Sequence, residues 1–284
     1  MRGANRDRYA AMFDRLRDRG EGAFGAFVTL GDPDLETSFD ILVALVEGGA
    51  DMLEVGIPFS DPVADGPAIA ASAGRALYAG VRPADCFALL ARLRARFPEV
   101  PVGILTYANL VVAPGRDAFY RTAAESGVDS VLVADVPALE AEPFVASAHA
   151  AGVAPVLIAA ANTPRATLAR IASLGAGYTY CVTRTGITGV RDTLTLDHGD
   201  LLETLVELGA PPPIFGFGIS APDHVRQALA AGAAGVISGS AIVQRVAANP
   251  NDPANAVRSF VAAMKAATAI EAPQPNQGVK TAQA

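Results

Sequence analysis

The stretch Gly49-Ala50-Asp51-Met52-Leu53-Glu54-Val55-Gly56-Ile57-Pro58 opens on a glycine and passes at once into a short apolar run. Gly127-Val128-Asp129-Ser130-Val131-Leu132-Val133-Ala134-Asp135-Val136-Pro137 repeats the pattern, and Gly232-Ala233-Ala234-Gly235-Val236-Ile237-Ser238 is a shorter echo. In each, glycine ends a helix where a left-handed residue is needed, and a buried strand follows. A helix–glycine–strand unit that recurs along one chain predicts alternating α/β structure.

Working outward, strands are predicted near 24–29, 51–57, 102–105, 129–134, 154–158, 178–182, 213–216 and 235–238. Helical segments lie between them near 36–48, 66–96 (broken at Pro83), 116–126, 138–151, 164–174, 198–208, 222–231 and 252–268. No two consecutive strands form a hairpin, so the sheet is parallel, and eight units of this length predict a single closed (β/α)8 TIM barrel. A doubly wound open sheet is the alternative, and the first βα turn lacks the GxGxxG that would favour it. Residues 1–17 read as an extra N-terminal helix capping the barrel's bottom, with Tyr9, Met12, Phe13 and Leu16 at helical spacing. Residues 240–247 read as a short helix after the eighth strand. The barrel is expected over 1–270, and the Pro/Gln-rich segment 271–284 is expected to be a disordered tail.

The chain has 284 residues, 51% of them hydrophobic, enough for one large core, and a net charge of −7 that makes nucleic acid an improbable partner. Cys86 and Cys181 sit in no CxxC or Cys/His cluster, so neither zinc nor a required disulfide is expected. The charged N-terminus does not resemble a signal peptide, and the uncharged stretch 143–164 is interrupted by Gly152 and Pro155. A cytoplasmic protein without membrane contact is the expectation. His149, His198 and His224 lie near no nucleophile motif such as GxSxG.

In a barrel the chemistry lies at the C-terminal ends of the strands. Alternation puts Met52, Glu54 and Gly56 on one face of the second strand, so Glu54 points into the apolar interior, where lost solvation raises its pKa toward a general acid/base's range. The loop Pro58-Phe59-Ser60-Asp61-Pro62-Val63-Ala64-Asp65-Gly66-Pro67 is stiff and sets Asp61 and Asp65 over the mouth. Each alone would be a turn-capping aspartate; together, close to an inward Glu, they suggest a paired-carboxylate site. Gly216-Phe217-Gly218-Ile219-Ser220 and Ser238-Gly239-Ser240-Ala241 follow the seventh and eighth strands, where small residues and a helix N-terminus form a phosphate cradle. The loop from Arg184 to Thr193, with Gly186 and Gly189, reads as a lid. Alternation also turns Phe27, Leu105, Leu132 and Tyr180 inward.

These motifs resemble the tryptophan synthase alpha chain family: Leu53 to Pro62, Ala64-Asp65-Gly66-Pro67 and Gly216 to Ser220. So do Phe27-Val28-Thr29-Leu30-Gly31-Asp32-Pro33, Tyr107-Ala108-Asn109 and Arg184 to Gly189, and the likeness runs from about residue 8 to 268. The resemblance implies retro-aldol cleavage of indole-3-glycerol phosphate to indole and glyceraldehyde 3-phosphate, a carbon–carbon lyase reaction, with Glu54 as acid/base and Asp65 as the second carboxylate. It further implies phosphate binding at Gly189, Gly218, Gly239 and Ser240, and an indole pocket of Phe27, Leu105, Tyr107, Leu132, Ala134 and Tyr180. Thr188 would support Asp65. Pro58 and Asp61 would couple to a β subunit in an α–β–β–α tetramer, and pyridoxal phosphate is implied only in that β partner, with no cofactor in this chain. Thr106 and the segment 159–164 depart modestly from the family pattern. Two alternatives remain: another phosphate-binding barrel enzyme, for which a synthase's barrel-strand Lys is missing here, and a catalytically idle regulatory chain.

Overall fold

The computed structural model describes residues 7–182 and 199–270. The expected lid, with Thr188 and Gly189, and the expected tail 271–284 lie outside the described residues. Nine strand segments are described: β1 (Ala23–Thr29), β2 (Met52–Gly56), β3 (Val102–Thr106), β4 (Ser130–Val133), β5 (Ala154–Pro155), β6 (Leu157–Ala160), β7 (Thr179–Val182), β8 (Pro213–Gly216) and β9 (Gly235–Ser238). They pair in parallel in the order β5-β4-β3-β2-β1-β9-β8-β7-β6. Because β5 and β6 are separated only by Val156, the chain itself closes the ring, giving the expected barrel.

The predicted single strand over 154–158 is thus two pieces, and Pro155 supplies a reason. Ala154 and Val156 donate their N–H groups to Asp129 and Val131 on the β4 side. The residue between them would donate toward β7, but proline has no N–H. The ladder with β7 therefore begins only at Leu157, opposite Thr179.

Around the strands run α1 (Arg8–Arg19), α2 (Leu35–Glu47), α3 (Pro67–Tyr78), α4 (Pro83–Arg96), α5 (Ala108–Val112) and α6 (Arg116–Glu125). They are followed by α7 (Glu142–Ala151), α8 (Arg165–Leu174), α9 (Gly199–Glu207), α10 (Pro222–Ala230), α11 (Ser240–Ala248) and α12 (Pro253–Ala266). The break expected at Pro83 is present, with proline in the first turn of α4. A 3-10 turn at Ala138–Glu140 takes the first residues expected of α7. One element was not anticipated: α5 has five residues, too few for a helical period to show.

The repeated Gly-x-Asp units are explained by hydrogen bonds. Gly49, Gly127 and Gly232 have φ of 104°, 81° and 99°, where a side chain would be strained. Asp51 Oδ2 accepts from the Phe24 N–H at 2.9 Å, and Asp129 Oδ2 from the Val102 N–H at 2.8 Å, each tying one strand's start to the preceding strand. Asp129 also binds Arg8 and Arg94.

Helix α1 starts at Arg8 rather than at residue 1, capped by the Asp7 side chain, which accepts from the Ala10 N–H, and it ends at left-handed Gly20. It closes the barrel's bottom: the Tyr9 hydroxyl meets Ser130 Oγ at 2.7 Å, and its ring packs 5.4 Å from that of Tyr178. Two shells make the core. Leu53, Val55 and Ile57 pack outward with the helices. Met52, Leu132, Tyr178 and Ile214 fill the interior. Among the described residues no helix is long and apolar enough to cross a membrane.

Candidate active site

Above the inner shell a cavity opens at the C-terminal ends of the strands, with about 720 Å³ of space counting the mouth continuous with solvent. Phe27, Glu54, Asp65, Leu105, Leu132, Ala134, Tyr180, Gly218, Gly239 and Ser240 all line it. Tyr107 lies behind Asp65 instead, and neither Pro58 nor Asp61 lines the cavity. Pro58 is buried in the loop after β2, while Asp61 stands exposed and accepts a 2.5 Å hydrogen bond from Ser60.

Glu54 sits in the middle of β2, beside Phe27 of β1 in the register. It is 1% exposed. Its Oε1 accepts from the Tyr178 hydroxyl at 2.7 Å, and Oε2 has no hydrogen-bond partner among the described residues. Burial pushes the carboxyl up to about 7, with the Tyr178 hydrogen bond partly offsetting the rise. Among the described residues no lysine or arginine is paired with it. Near neutral pH such a group both gives and takes a proton.

Asp65 occupies a wetter place on the rim. It is half-buried and precedes Gly66, the N-cap of α3. Burial raises its carboxyl to about 6, against a lowering hydrogen bond from Tyr107. Tyr107 also accepts from the Ala64 N–H at 3.3 Å and stacks on Phe59 at 5.2 Å, so one side chain holds the loop in three places. The rise at Asp65 was not foreseen, since the sequence marks only an ionised rim aspartate. At pH 7 it is still mostly ionised, whereas Glu54 is about half protonated.

Tyr180 lines the same cavity as the two acids. Burial, and then the negative fields of Glu54 and Asp65, drive its phenol well above the ordinary value, so it stays a neutral hydroxyl. Its place depends on Gly216, where a Cβ would fall 1.9 Å from the Tyr180 hydroxyl oxygen. Phe217 adopts φ 65°, rare outside glycine, and its ring meets Tyr180 edge-on at 5.9 Å.

At the far wall, Gly218 also takes a positive φ of 76°. Gly239 precedes α11, whose N-terminus carries no side-chain cap. The Ile242 and Val243 N–H groups donate to the Gly239 carbonyl, which leaves those of Ser240 and Ala241 without a helical partner and suited to an anion. None of the described lining residues is lysine or arginine, so an anion here would be held by backbone dipoles and the Ser240 hydroxyl. Among the described residues no three His, Cys, Asp or Glu side chains gather as a metal site.

Ile69, Ile158 and Ile237 line the cavity without having been marked by the sequence, while Phe217, Ile219 and Ser220 belong to the cradle segment after the seventh strand. Ile237 and Ile158 follow from strand alternation once the register is known. Strand alternation puts Tyr178 on the same face as Tyr180, but nothing in one sequence says that it, across the barrel, is the partner of Glu54.

The model of the family described as Tryptophan synthase alpha chain matches residues 13–271. The chain belongs to the tryptophan synthase alpha chain family. The tryptophan synthase alpha chain of Shewanella amazonensis is 52% identical over 265 residues, covering 92% of this chain and 100% of that protein. That of Klebsiella pneumoniae is also 52% identical, over 92% and 98%. Among solved structures, tryptophan synthase of Mycobacterium tuberculosis superposes with a TM-score of 0.84 at 28% identity, over 93% and 99% of the two chains. A chain of the Pyrococcus furiosus tryptophan synthase α2β2 complex gives 0.80 at 34% identity, over 86% and 98%. The lyase expectation and the TIM barrel expectation accord with the tryptophan synthase alpha chain family.

Proposed function

We propose that this chain cleaves indole-3-glycerol phosphate to indole and glyceraldehyde 3-phosphate, with Glu54 moving the protons and Asp65 steadying the ring nitrogen. What carries this reading is two carboxylates on one cavity in unlike environments, one near pKa 7 and one near 6. Protonated Glu54 gives its proton to indole C3, producing a cation whose charge rests on N1–H. Ionised Asp65 accepts the N1–H hydrogen bond and stabilises that charge. The Glu54 carboxylate then takes the proton of the side-chain hydroxyl. As it does, the O–H electron pair becomes the aldehyde C=O, and the breaking C–C pair restores the aromatic ring. Glu54 ends protonated, as it began.

The apolar walls of Phe27, Leu105, Leu132, Ala134 and Tyr180 suit a flat indole ring. Gly218, Gly239 and Ser240 suit the phosphate. None of these proton transfers or bond changes calls for a cofactor on this chain.

The partner in this reading is a β subunit, as in the α2β2 complex of P. furiosus. Val63 after β2, Val112 on α5 after β3 and Leu139 after β4 stand 74%, 48% and 65% exposed on adjoining mouth-side loops. These three side chains offer an apolar face to a neighbour, with the exposed Asp61 carboxylate beside Val63 and the buried Pro58 at the base of the same loop. Pyridoxal phosphate belongs to that partner.

The test is the pH dependence of kcat/KM for indole release. Glu54 must start protonated and Asp65 ionised, so the profile is a bell, falling below about 6 and above about 7. In Asp65→Asn the acid limb disappears along with most of the activity. A profile flat from pH 5 to 9 would overturn the assignment.

A further inference from the structure

The loop that carries Asp65 is held on one side by Tyr107, and on the other by α3, which begins at Pro67. Ile69, Ser72 and Arg75 fall three residues apart and share one face of α3. Ile69 lines the cavity. Ser72 accepts from the Thr29 hydroxyl at 2.6 Å, at the end of β1, and donates to the Ile69 carbonyl at 2.7 Å. Arg75 donates from Nε and Nη2 to the two oxygens of Asp32, each at 2.7 Å. Asp32 is 4% exposed, and neither it nor Arg75 lines the cavity.

Burial alone would be met by an apolar face. Such a face lets a helix turn and slide, whereas a guanidinium fork on a buried carboxylate fixes both rotation and height. Errors of about 1 Å at a reacting centre cost roughly 100-fold in rate. We propose that Asp32 and Arg75 are positioning residues: by locking α3 against the end of β1, they hold the Asp65 carboxylate and Ile69 at the cavity. This rests on the role of Asp65 proposed above.

Four variants test it. The double variant Asp32→Asn/Arg75→Met removes both charges and so strands neither in the interior. Arg75→Lys keeps the charge and loses the fork. Indole release is measured across pH, with melting followed in parallel. In the double variant kcat falls about 10–100-fold while KM changes less than about threefold. Its acid limb moves to lower pH, because a loosened loop lets water reach Asp65. Arg75→Lys falls between the double variant and the parent. Adding Asp65→Asn to the double variant costs much less than it does in the parent chain, since the carboxylate is already displaced. An unmoved acid limb, with an Asp65→Asn cost equal in both backgrounds, overturns the positioning role alone. Full activity of Asp65→Asn in the parent chain overturns the role of Asp65 itself, and the positioning role with it.

Discussion

Replacing Glu54 by glutamine tests the site without any substrate. Its carboxyl is raised from 4.5 to about 7 because β2 buries it with one hydroxyl as partner. A carboxyl raised on folding contributes stability that is fully present below pH 4.5 and is lost as pH rises through 7. At 1.36 kcal/mol per unit, the ionised side chain at pH 8 costs the fold about 3 kcal/mol relative to the fully protonated form. At pH 5 the cost is under about 1 kcal/mol. Glutamine has no charge to bury and still accepts from Tyr178. Any fixed cost of burying its amide is the same at both pH values and cancels in the comparison. The stability difference, Glu54→Gln minus parent, therefore grows in favour of the variant by about 2–3 kcal/mol between pH 5 and pH 8. For a chain of this size that is about 5 °C in Tm, at roughly 2 °C per kcal/mol. Urea unfolding at the two pH values reads the difference directly. A difference that stays constant from pH 5 to 8 would refute the claim that Glu54 is held out of water.

Tyr107→Phe removes the hydrogen bond that lowers the Asp65 carboxyl. That carboxyl then rises, the acid limb of the pH–rate profile moves to higher pH, and activity at pH 6.5 drops severalfold; an unmoved limb would contradict the contact. At the other end of the barrel, Arg94 binds Asp129 at 2.6 Å and the carbonyls of Phe97, Val100 and Gly127. Arg94→Met leaves the largely buried Asp129 carboxylate with Arg8 as its one cationic partner among the described residues and lowers stability by about 1.5–3 kcal/mol in urea unfolding, while kcat of the folded chain stays within about twofold because the cavity lies at the opposite strand ends.

Much of the barrel was legible because its signals are local. The glycines at 49, 127 and 232 announce helix ends, and period-two alternation assigns Phe27, Glu54, Leu132 and Tyr180 to the interior. The cradle residues Gly218, Gly239 and Ser240 are marked by their places after the last two strands. What escaped depends on contacts between distant residues. The pairing of Tyr178 with Glu54 spans 124 positions, and that of Arg75 with Asp32 spans 43. The division of the fifth strand needed the register before Pro155 could be seen to interrupt it. Five-residue α5 is set by its place after β3 rather than by any pattern of its own. The raised carboxyl of Asp65 likewise reflects how loop, helix and Tyr107 enclose it, which its turn-like sequence does not reveal.

The most direct test is indole release from indole-3-glycerol phosphate by the purified chain, alone and with a β subunit, beside Glu54→Gln and Asp65→Asn. Slow release by the chain alone, raised by the partner and reduced at least 100-fold in each variant, is the predicted result. No release from the folded chain in either condition, or variants as active as the parent, would contradict the proposed chemistry and leave a regulatory chain as the better account.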